Sequence, residues 1–306
     1  MSRSPARARG AAVIIAMVVA ALAATVAIAI AAEQQRWLSS VSARRDQVQA
    51  QSLALAGVQW TRAILVDDAA HGPLDYLGEP WALPLPPTPF ENGTIEGSIV
   101  DAQGLLNVNN LDQPGTQGDV ERMRLAQLCA RFGVPSAAVG ALADWISPGG
   151  TAQPNDTDAW YARQPSPYLP ARAPLLRTRE LAVVRGFDDA AVARLLPYVT
   201  ALPRGTALNV NTAPAAVLAA ALPGIPDDAL SALVGERLTR PFTSVADFRS
   251  RLPQGIPIGD ERAFAVSSSY FVVTVRARQG DAVAQARALL RREPGAWPGV
   301  VWQTLE

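Results

Sequence analysis

The chain has 306 residues, length for about two domains, with 27 basic and 27 acidic residues and 49% hydrophobic content. A net charge of zero supplies no field to draw in nucleic acid, and a single cysteine, Cys129, excludes an internal disulfide. A single histidine, in His71-Gly72-Pro73, leaves catalytic triads and histidine-based zinc sites without material.

Arg3, Arg7 and Arg9 precede Gly10, and no charged residue stands between Gly10 and Glu33. As a helix, the 22 residues from Ala11 to Ala32 rise about 33 Å, enough for a bilayer core. The leading arginines place the N-terminus in the cytoplasm and the remainder beyond the membrane. Ala29-Ile30-Ala31 offers small residues for an ordinary signal-peptide cut. A signal peptide, however, has an apolar region of about 7–15 residues followed by a break. Here no Gly or Pro occurs between Ala11 and Ala56. The run passes instead into Trp37, Leu38, Val41, Val48 and Leu55, interleaved with Arg44, Arg45, Gln47 and Gln51. Val41, Val48 and Leu55, seven apart, fall near one helix face. The pattern predicts one helix over residues 11–66, about 80 Å long.

Residues 67–89 are rich in Pro and Gly and read as a loop that ends this helix. Residues 94–100 read as a strand, Asp101-Ala102-Gln103-Gly104 as a turn, and residues 105–109 as a return strand, giving a hairpin. A helical pattern then runs from Gln117 to Arg262. Strands close the chain: residues 270–277, a turn at Gln279-Gly280-Asp281, residues 282–290, and a short third strand at residues 299–302. Residues 283–288 are Ala-rich and fit a helix equally well. Such a chain is a sheet split by a helical insertion.

Within the insertion, Cys129 lies in Leu125-Ala126-Gln127-Leu128-Cys129-Ala130, the setting of a buried small hydrophobe. Asp144-Trp145-Ile146 leads into Ser147-Pro148-Gly149-Gly150 and then Asn155-Asp156-Thr157-Asp158. Asp144, Asn155, Asp156 and Asp158 supply part of the six to eight oxygens that Ca²⁺ takes. The spacing is not an EF-hand, and a solvated, self-capping loop explains it as well. A weak repeat pairs Gly186 with Gly224 and Asp189 with Asp227, each unit a helix, a glycine turn and a second helix with an acidic cap. Leu208-Asn209-Val210-Asn211 echoes Leu106-Asn107-Val108-Asn109, and in each copy an asparagine can cap the next helix. Leu222-Pro223-Gly224-Ile225 resembles a helix-hairpin-helix, which holds phosphate at a helix start. Asp227 and Asp228 open the next helix, where they repel phosphate. No P-loop, GxSxG, HExxH or CxxC pair is present. Glu180 and Glu236 have arginines beside them, as surface ion pairs do, and an enzyme is not expected.

The basic leader ending in Gly10, followed by an unbroken apolar helix that turns amphipathic, resembles the signal of type IV pilins and pseudopilins. In that class the cut follows the glycine, here between Gly10 and Ala11. Most members carry Glu at the fifth mature position; Ile15 stands there, and the K-type branch lacks this acid. The resemblance to the general secretion pathway protein K family of type II secretion extends along the chain. Asp101-Ala102-Gln103-Gly104-Leu105-Leu106-Asn107-Val108-Asn109-Asn110-Leu111, Ala143-Asp144-Trp145-Ile146, Glu180-Leu181, Val184-Arg185-Gly186-Phe187, Leu208-Asn209-Val210-Asn211-Thr212-Ala213 and Ser268-Ser269-Tyr270-Phe271 carry it in order.

The resemblance implies an α+β protein: a long N-terminal transmembrane helix, a pilin-like antiparallel sheet and a large inserted all-helical domain. Its expected divisions are a leader at 1–10, the helix at 11–66, pilin-like parts at 67–113 and 265–306, and the insertion at 114–264. It implies a minor pseudopilin of the inner membrane, its C-terminal domain periplasmic. Prepilin peptidase would cut it, and I- and J-type minor pseudopilins and the major pseudopilin would be its partners at the pseudopilus tip. Without an acid at Ile15 the subunit needs no neighbour above it. The family also implies calcium after Asp144-Trp145, although the acids usual directly after that pair are replaced here by Ser147-Pro148-Gly149-Gly150. The competing reading is a membrane-anchored periplasmic protein that binds DNA through its helix-hairpin-helix units; on charge, no nucleic acid is expected.

Overall fold

The computed structural model describes residues 6–91, 93–149 and 156–306. Helix α1 runs Ala6–His71, unbroken, and exceeds the predicted span at both ends. From Ala12 to Arg44 its described residues are exposed, and from Ala50 onward it packs on a sheet.

A single turn at Pro80–Ala82 follows, then strands β1 (Leu85–Phe90) and β2 (Gly93–Asp101). Short strand β3 is Leu106–Asn107, and helices α2 (Thr116–Arg131), α3 (Ala137–Ile146), α4 (Asp156–Ala162) and α5 (Asp189–Leu195) come next. Strands β4 (Val199–Thr200) and β5 (Leu208–Asn209) precede α6 (Ala215–Ala221), α7 (Asp227–Glu236) and α8 (Val245–Ser250). The chain ends with β6 (Phe264–Ala265), β7 (Tyr270–Gln279), β8 (Ala282–Arg291) and β9 (Gly299–Leu305).

The main sheet has the order β1-β2-β7-β8-β9, and every neighbouring pair is antiparallel. One face is lined by Val273, Val275, Ala277, Ala284, Ala286 and Ala288, all buried under α1. The alanines keep that face low, so the helix sits close. Gly57 marks the closest approach: a Cβ there would stand 2.5 Å from Val275 Cγ1 and 2.9 Å from Ile95 Cδ1. The buried stripe of α1 is therefore Ala50, Ala54, Gly57, Val58, Thr61 and Leu65. This corrects the face read from Val41, Val48 and Leu55: Val41 and Val48 point outward, Val48 being 61% exposed. A shallow sheet selects small residues on the helix above it, and these carry a weak hydrophobic signal.

Two further expectations change. Residues 105–109 are not the return strand of a hairpin. Strand β2 instead pairs with β1 and β7, and β3 runs parallel to β4, with Leu106 opposite Val199. The Pro-rich stretch is not all loop, because Leu85–Phe90 forms the edge strand β1. An edge strand needs donors on its paired side alone, so it tolerates prolines. The Ala-rich segment is strand β8, held by pairing on both sides with β7 and β9.

Asp101 ends β2 opposite Phe271 at the start of β7. The insertion therefore leaves and rejoins the sheet at two adjacent strands. Among the described residues, its regular structure is helical apart from two parallel ribbons of two residues per strand, β3–β4 and β5–β6. Its own core, which includes Leu128, Leu142, Tyr161, Leu195, Leu218 and Phe248, is separate from that of the sheet.

Candidate functional site

The exposed half of α1 is the first functional surface. Val13, Ile14, Ile15, Met17, Val18 and Leu22 are all more than half exposed, Ile15 at 64%. Among the described residues, this is the one helix long and apolar enough to cross a membrane. Gly10 and Ala11 lie in its opening turns. An apolar surface this long is not stable in water; lipid or neighbouring helices must cover it.

The opposite end of α1 meets the insertion. The β7–β8 turn reaches back to Asp46, as Gly280 shows by its approach to the Asp46 carboxylate. The root of the insertion lies at the other end of the sheet, beside Asp68 and Asp75. There Arg292 donates to Asp68 Oδ2 and to both oxygens of Asp75, each at 2.6 Å. Asp75 also accepts from Ser268 N at 2.7 Å, and its own backbone N–H donates to Val266 O. Burial pushes the Asp75 carboxyl above its usual range, against the pull of Arg292. Asp68 is raised by burial and by Asp75, and Glu79 by burial. Carboxylate oxygens of Asp68, Asp75 and Glu79 lie within 4.8 Å of one another. Arg292 is their countercharge, while Trp81 Nε1 and Tyr76 N donate to Glu79.

Asp101 completes this junction. Gln103 N donates to its Oδ1, while Ser268 Oγ, Thr212 Oγ1 and Asn209 Nδ2 donate to its Oδ2, all within 2.9 Å. Full burial still pushes its pKa up to about 6. One carboxylate thus ties the end of β2 to the middle of the insertion and to the residue that leads into β7.

The repeated Leu-Asn-Val-Asn motif does more than cap. In each copy the first asparagine accepts from the residue two positions on: Asn107 from Asn109 N, and Asn209 from Asn211 N. The second grips a distant backbone by both its groups. Asn109 accepts from Leu175 N and donates to Leu175 O; Asn211 does the same with Phe242. Each clamp satisfies a buried N–H and C=O, groups that cost about 1–3 kcal/mol apiece if left bare. Of the two glycine turns, Gly186 and Gly224 are both left-handed, with φ of 92° and 82°. The acidic cap holds in the first unit alone, where Asp188 rather than Asp189 accepts from Ala191 N. Helix α7 begins after Pro226 without a side-chain cap. Asp227 and Asp228 are exposed in its first turn, where they oppose a phosphate at that helix start.

The predicted calcium ligands are partly brought together. Asn155 lies outside the described residues, and the side-chain placement of Asp156 falls outside them too. Asp144 at the end of α3 and Asp158 in α4 converge on Arg172. Arg172 Nη1 donates to Asp144 Oδ1 and to its carbonyl oxygen, and Nη2 donates to Asp158 Oδ1, each at 2.8 Å. The Arg172 backbone is left-handed, with φ of 50°, which costs a non-glycine residue about 1–2 kcal/mol. The two ion pairs offset that cost. A Ca²⁺ ion would need these oxygens at 2.3–2.6 Å and would meet the guanidinium between them. As they stand, Asp144 and Asp158 do not fit a calcium ion.

Cys129 is buried as expected, and burial pushes its thiol up to about 11. His71 is the exposed last residue of α1 rather than a loop residue. Arg172, Arg292, Asp75 and Asp68 were not among the predicted sites. Asp101 and Ser268 lay in noted motifs without an assigned role. Their partners sit far along the chain, beyond the reach of local spacing.

Two family models, both described as type II secretion system protein K, match residues 104–204 and 208–267. Type II secretion system protein K of Pseudomonas aeruginosa is 31% identical over 89% of this chain and 85% of its own length. The protein of that name from Klebsiella pneumoniae is 31% identical, over 96% of this chain and 95% of its own length. A chain in the crystal structure of the GspK–GspI–GspJ complex of the enterotoxigenic Escherichia coli type 2 secretion system aligns with a TM-score of 0.67. It covers 90% of this chain and 99% of its own length at 22% identity, a likeness of fold.

Proposed function

The chain belongs to the type II secretion system protein K family and is a minor pseudopilin, and from that premise we propose that it caps one end of a pseudopilus. The observation that carries this reading is the placement of the insertion. It is rooted where α1 ends, beside Asp68 and Asp75, while the exposed apolar half of α1 extends the other way. The apolar half anchors the subunit in the inner membrane before assembly and packs against neighbouring helices after it. The bulk at the far end then obstructs a further subunit above. In this reading the residues past the membrane helix are periplasmic, and the role is mechanical rather than catalytic.

Ile15 suits the same position. A carboxylate there would be buried among apolar helices and would need a cationic partner, such as the N-terminal amine of a subunit above it. A terminal subunit has none above. The partners proposed are I- and J-type minor pseudopilins, supported by the fold likeness to a chain from the GspK–GspI–GspJ complex, with the major pseudopilin below them. Prepilin peptidase is proposed to remove residues 1–10. No nucleic-acid partner is proposed, because Asp227 and Asp228 guard the helix start where phosphate would sit.

For the loop after Trp145, Arg172 is proposed to serve as the resident cation in place of calcium. A calcium ion would have to displace it from Asp144 and Asp158.

Co-expression of the full chain with I- and J-type partners, followed by native mass spectrometry, tests the cap. One copy of this chain per complex is expected, and its N-terminus should read Ala11. Many copies along a fibre, or a mature N-terminus near Ala32, would overturn the proposal.

A further inference from the structure

The outer face of the sheet, opposite α1, is partly covered by the insertion, and the seam between them contains three arginines. Arg177 and Arg179 come from the insertion, around the short turn Thr178–Val183. Arg287 comes from β8, where it stands between Thr274 of β7 and Thr304 of β9. Together they line a cavity of about 190 Å³. Its floor is apolar, formed by Val272, Leu289 and Leu196, and Trp302 forms one wall. Arg177 lies over the Trp302 ring, 5.7 Å from its centroid.

The three arginines of the seam have no carboxylate partner among the described residues, unlike the arginines that hold the insertion together. Arg124, Arg172, Arg204, Arg251 and Arg292 each take an acid within 4.0 Å. Among the described residues, Arg177, Arg179 and Arg287 form no ion pair and donate no side-chain hydrogen bond. The Nε of Arg287 is buried without an acceptor, a donor that native structures rarely leave bare. Burial and the nearby Arg179 both push the Arg287 guanidinium below its usual pKa, and Glu306 alone pushes the other way. Three cations thus converge on one cavity with one acid at its border.

We propose that this seam is an oxyanion site that takes a carboxylate. A planar carboxylate matches the guanidinium fork and accepts two N–H bonds at once. The apolar floor and the Trp302 ring suit a short methylene stem, so the occupant is a glutamate-like group. The cavity has room for one such side chain and not for a folded peptide. The carboxylate can come from a partner polypeptide's acidic side chain or from a free dicarboxylate. The site stands apart from the cap reading, since none of its residues lies on α1 or at the insertion root.

The test uses the full chain in detergent micelles, with melting temperature followed against sodium glutarate, sodium sulfate and sodium chloride at equal ionic strength. Glutarate should raise the melting temperature in a saturable way that chloride does not reproduce. Arg179→Gln, an exposed position, and Arg287→Gln should each weaken glutarate on the order of tenfold or more, as expected for a lost charge-assisted bond. Arg249→Gln, on α8, should leave it unchanged. A fluorescein-labelled peptide, acetyl-Gly-Phe-Glu-Phe-Gly-amide, and its Gln counterpart distinguish the sources by anisotropy. Tighter binding of the Glu peptide than of glutarate assigns the site to a partner side chain; the reverse order assigns it to a free dicarboxylate. Glutarate acting no differently from chloride, or binding equally well to Arg179→Gln and Arg287→Gln, overturns the site.

Discussion

Arg292 and Asp75 stand 217 residues apart in the chain and meet through both carboxylate oxygens at 2.6 Å, with Asp75 fully buried. The same guanidinium holds Asp68. Removing it would strand two inward-facing carboxylates at the root of the insertion. Arg292→Ala is expected to destabilise the chain by roughly 3–5 kcal/mol, the loss typical when one partner of a buried pair is removed. Arg292→Lys should recover a part of this, because a point charge cannot reproduce the forked contact. Denaturant unfolding of the detergent-solubilised chain measures both; a loss below about 1 kcal/mol for the alanine variant would mean that the junction does not depend on this pair.

Asp101 gives a pH dependence with a definite sign. Its folded pKa is raised from 3.8 to about 6, so the folded chain holds that proton more tightly than the unfolded one. The stabilisation is fully present below the unfolded pKa and is lost as pH rises through about 6. Asp75, Asp68 and Glu79 are raised as well and act in the same direction. The chain should be more stable near pH 5 than near pH 7.5, with Asp101 contributing on the order of 1–1.5 kcal/mol between those two values. Asp101→Asn should flatten this slope. Melting curves from pH 4 to 8 would show it, and a stability that rises with pH through 6 would contradict the assignment.

The ion pairs of Arg172 predict indifference to chelation. The melting temperature of the wild-type chain should not change between calcium and EDTA. Arg172→Ala should cost roughly 1.5–3 kcal/mol and should make stability calcium-responsive, because Asp144 and Asp158 then lose the cation that stands between them. A wild-type chain that loses stability in EDTA would show that calcium, and not Arg172, holds this loop.

Gly57 reports on the seating of α1. With Val275 2.5 Å and Ile95 2.9 Å from the place of a Cβ, Gly57→Leu must lift the helix from the sheet, at about 1–3 kcal/mol or more. Ala56→Leu, one residue earlier and exposed, should be nearly neutral. Equal effects from the two changes would mean that the close approach does not matter.

The sequence exposed some of this structure and hid the rest for physical reasons. The α1 helix was legible because charge, length and the lack of breakers all agree from Ala11 to Ala56. Strands β7 and β9 were legible from their β-branched residues. Strand β1 was hidden by its prolines, since a pattern rule cannot know that a strand will lie at an edge. The return strand expected at Leu105 was misplaced because Leu106 finds its partner at Val199, outside any local window. The Leu-Asn-Val-Asn echo was visible, but the clamps on Leu175 and Phe242 were not. Of the proposed calcium ligands, Asp144 and Asp158 do come together; spacing could not show that Arg172 would stand between them.

The adjacency of Asp101 and Phe271 also governs the order in which the chain can assemble. These neighbours in the central strand pair are separated by 170 residues of chain. Bringing them together across a disordered loop of that length would cost roughly 4–5 kcal/mol in chain entropy from the length term alone. Once the insertion has folded, its two ends already emerge side by side, and that entropy has been removed. Strand β2 thus stays unpaired on one edge until the helical unit has collapsed and β7 is brought beside it. Substitutions that slow the insertion's own folding should therefore prolong the life of an exposed half-sheet, and their first symptom would be proteolysis or aggregation during maturation rather than a weaker finished protein.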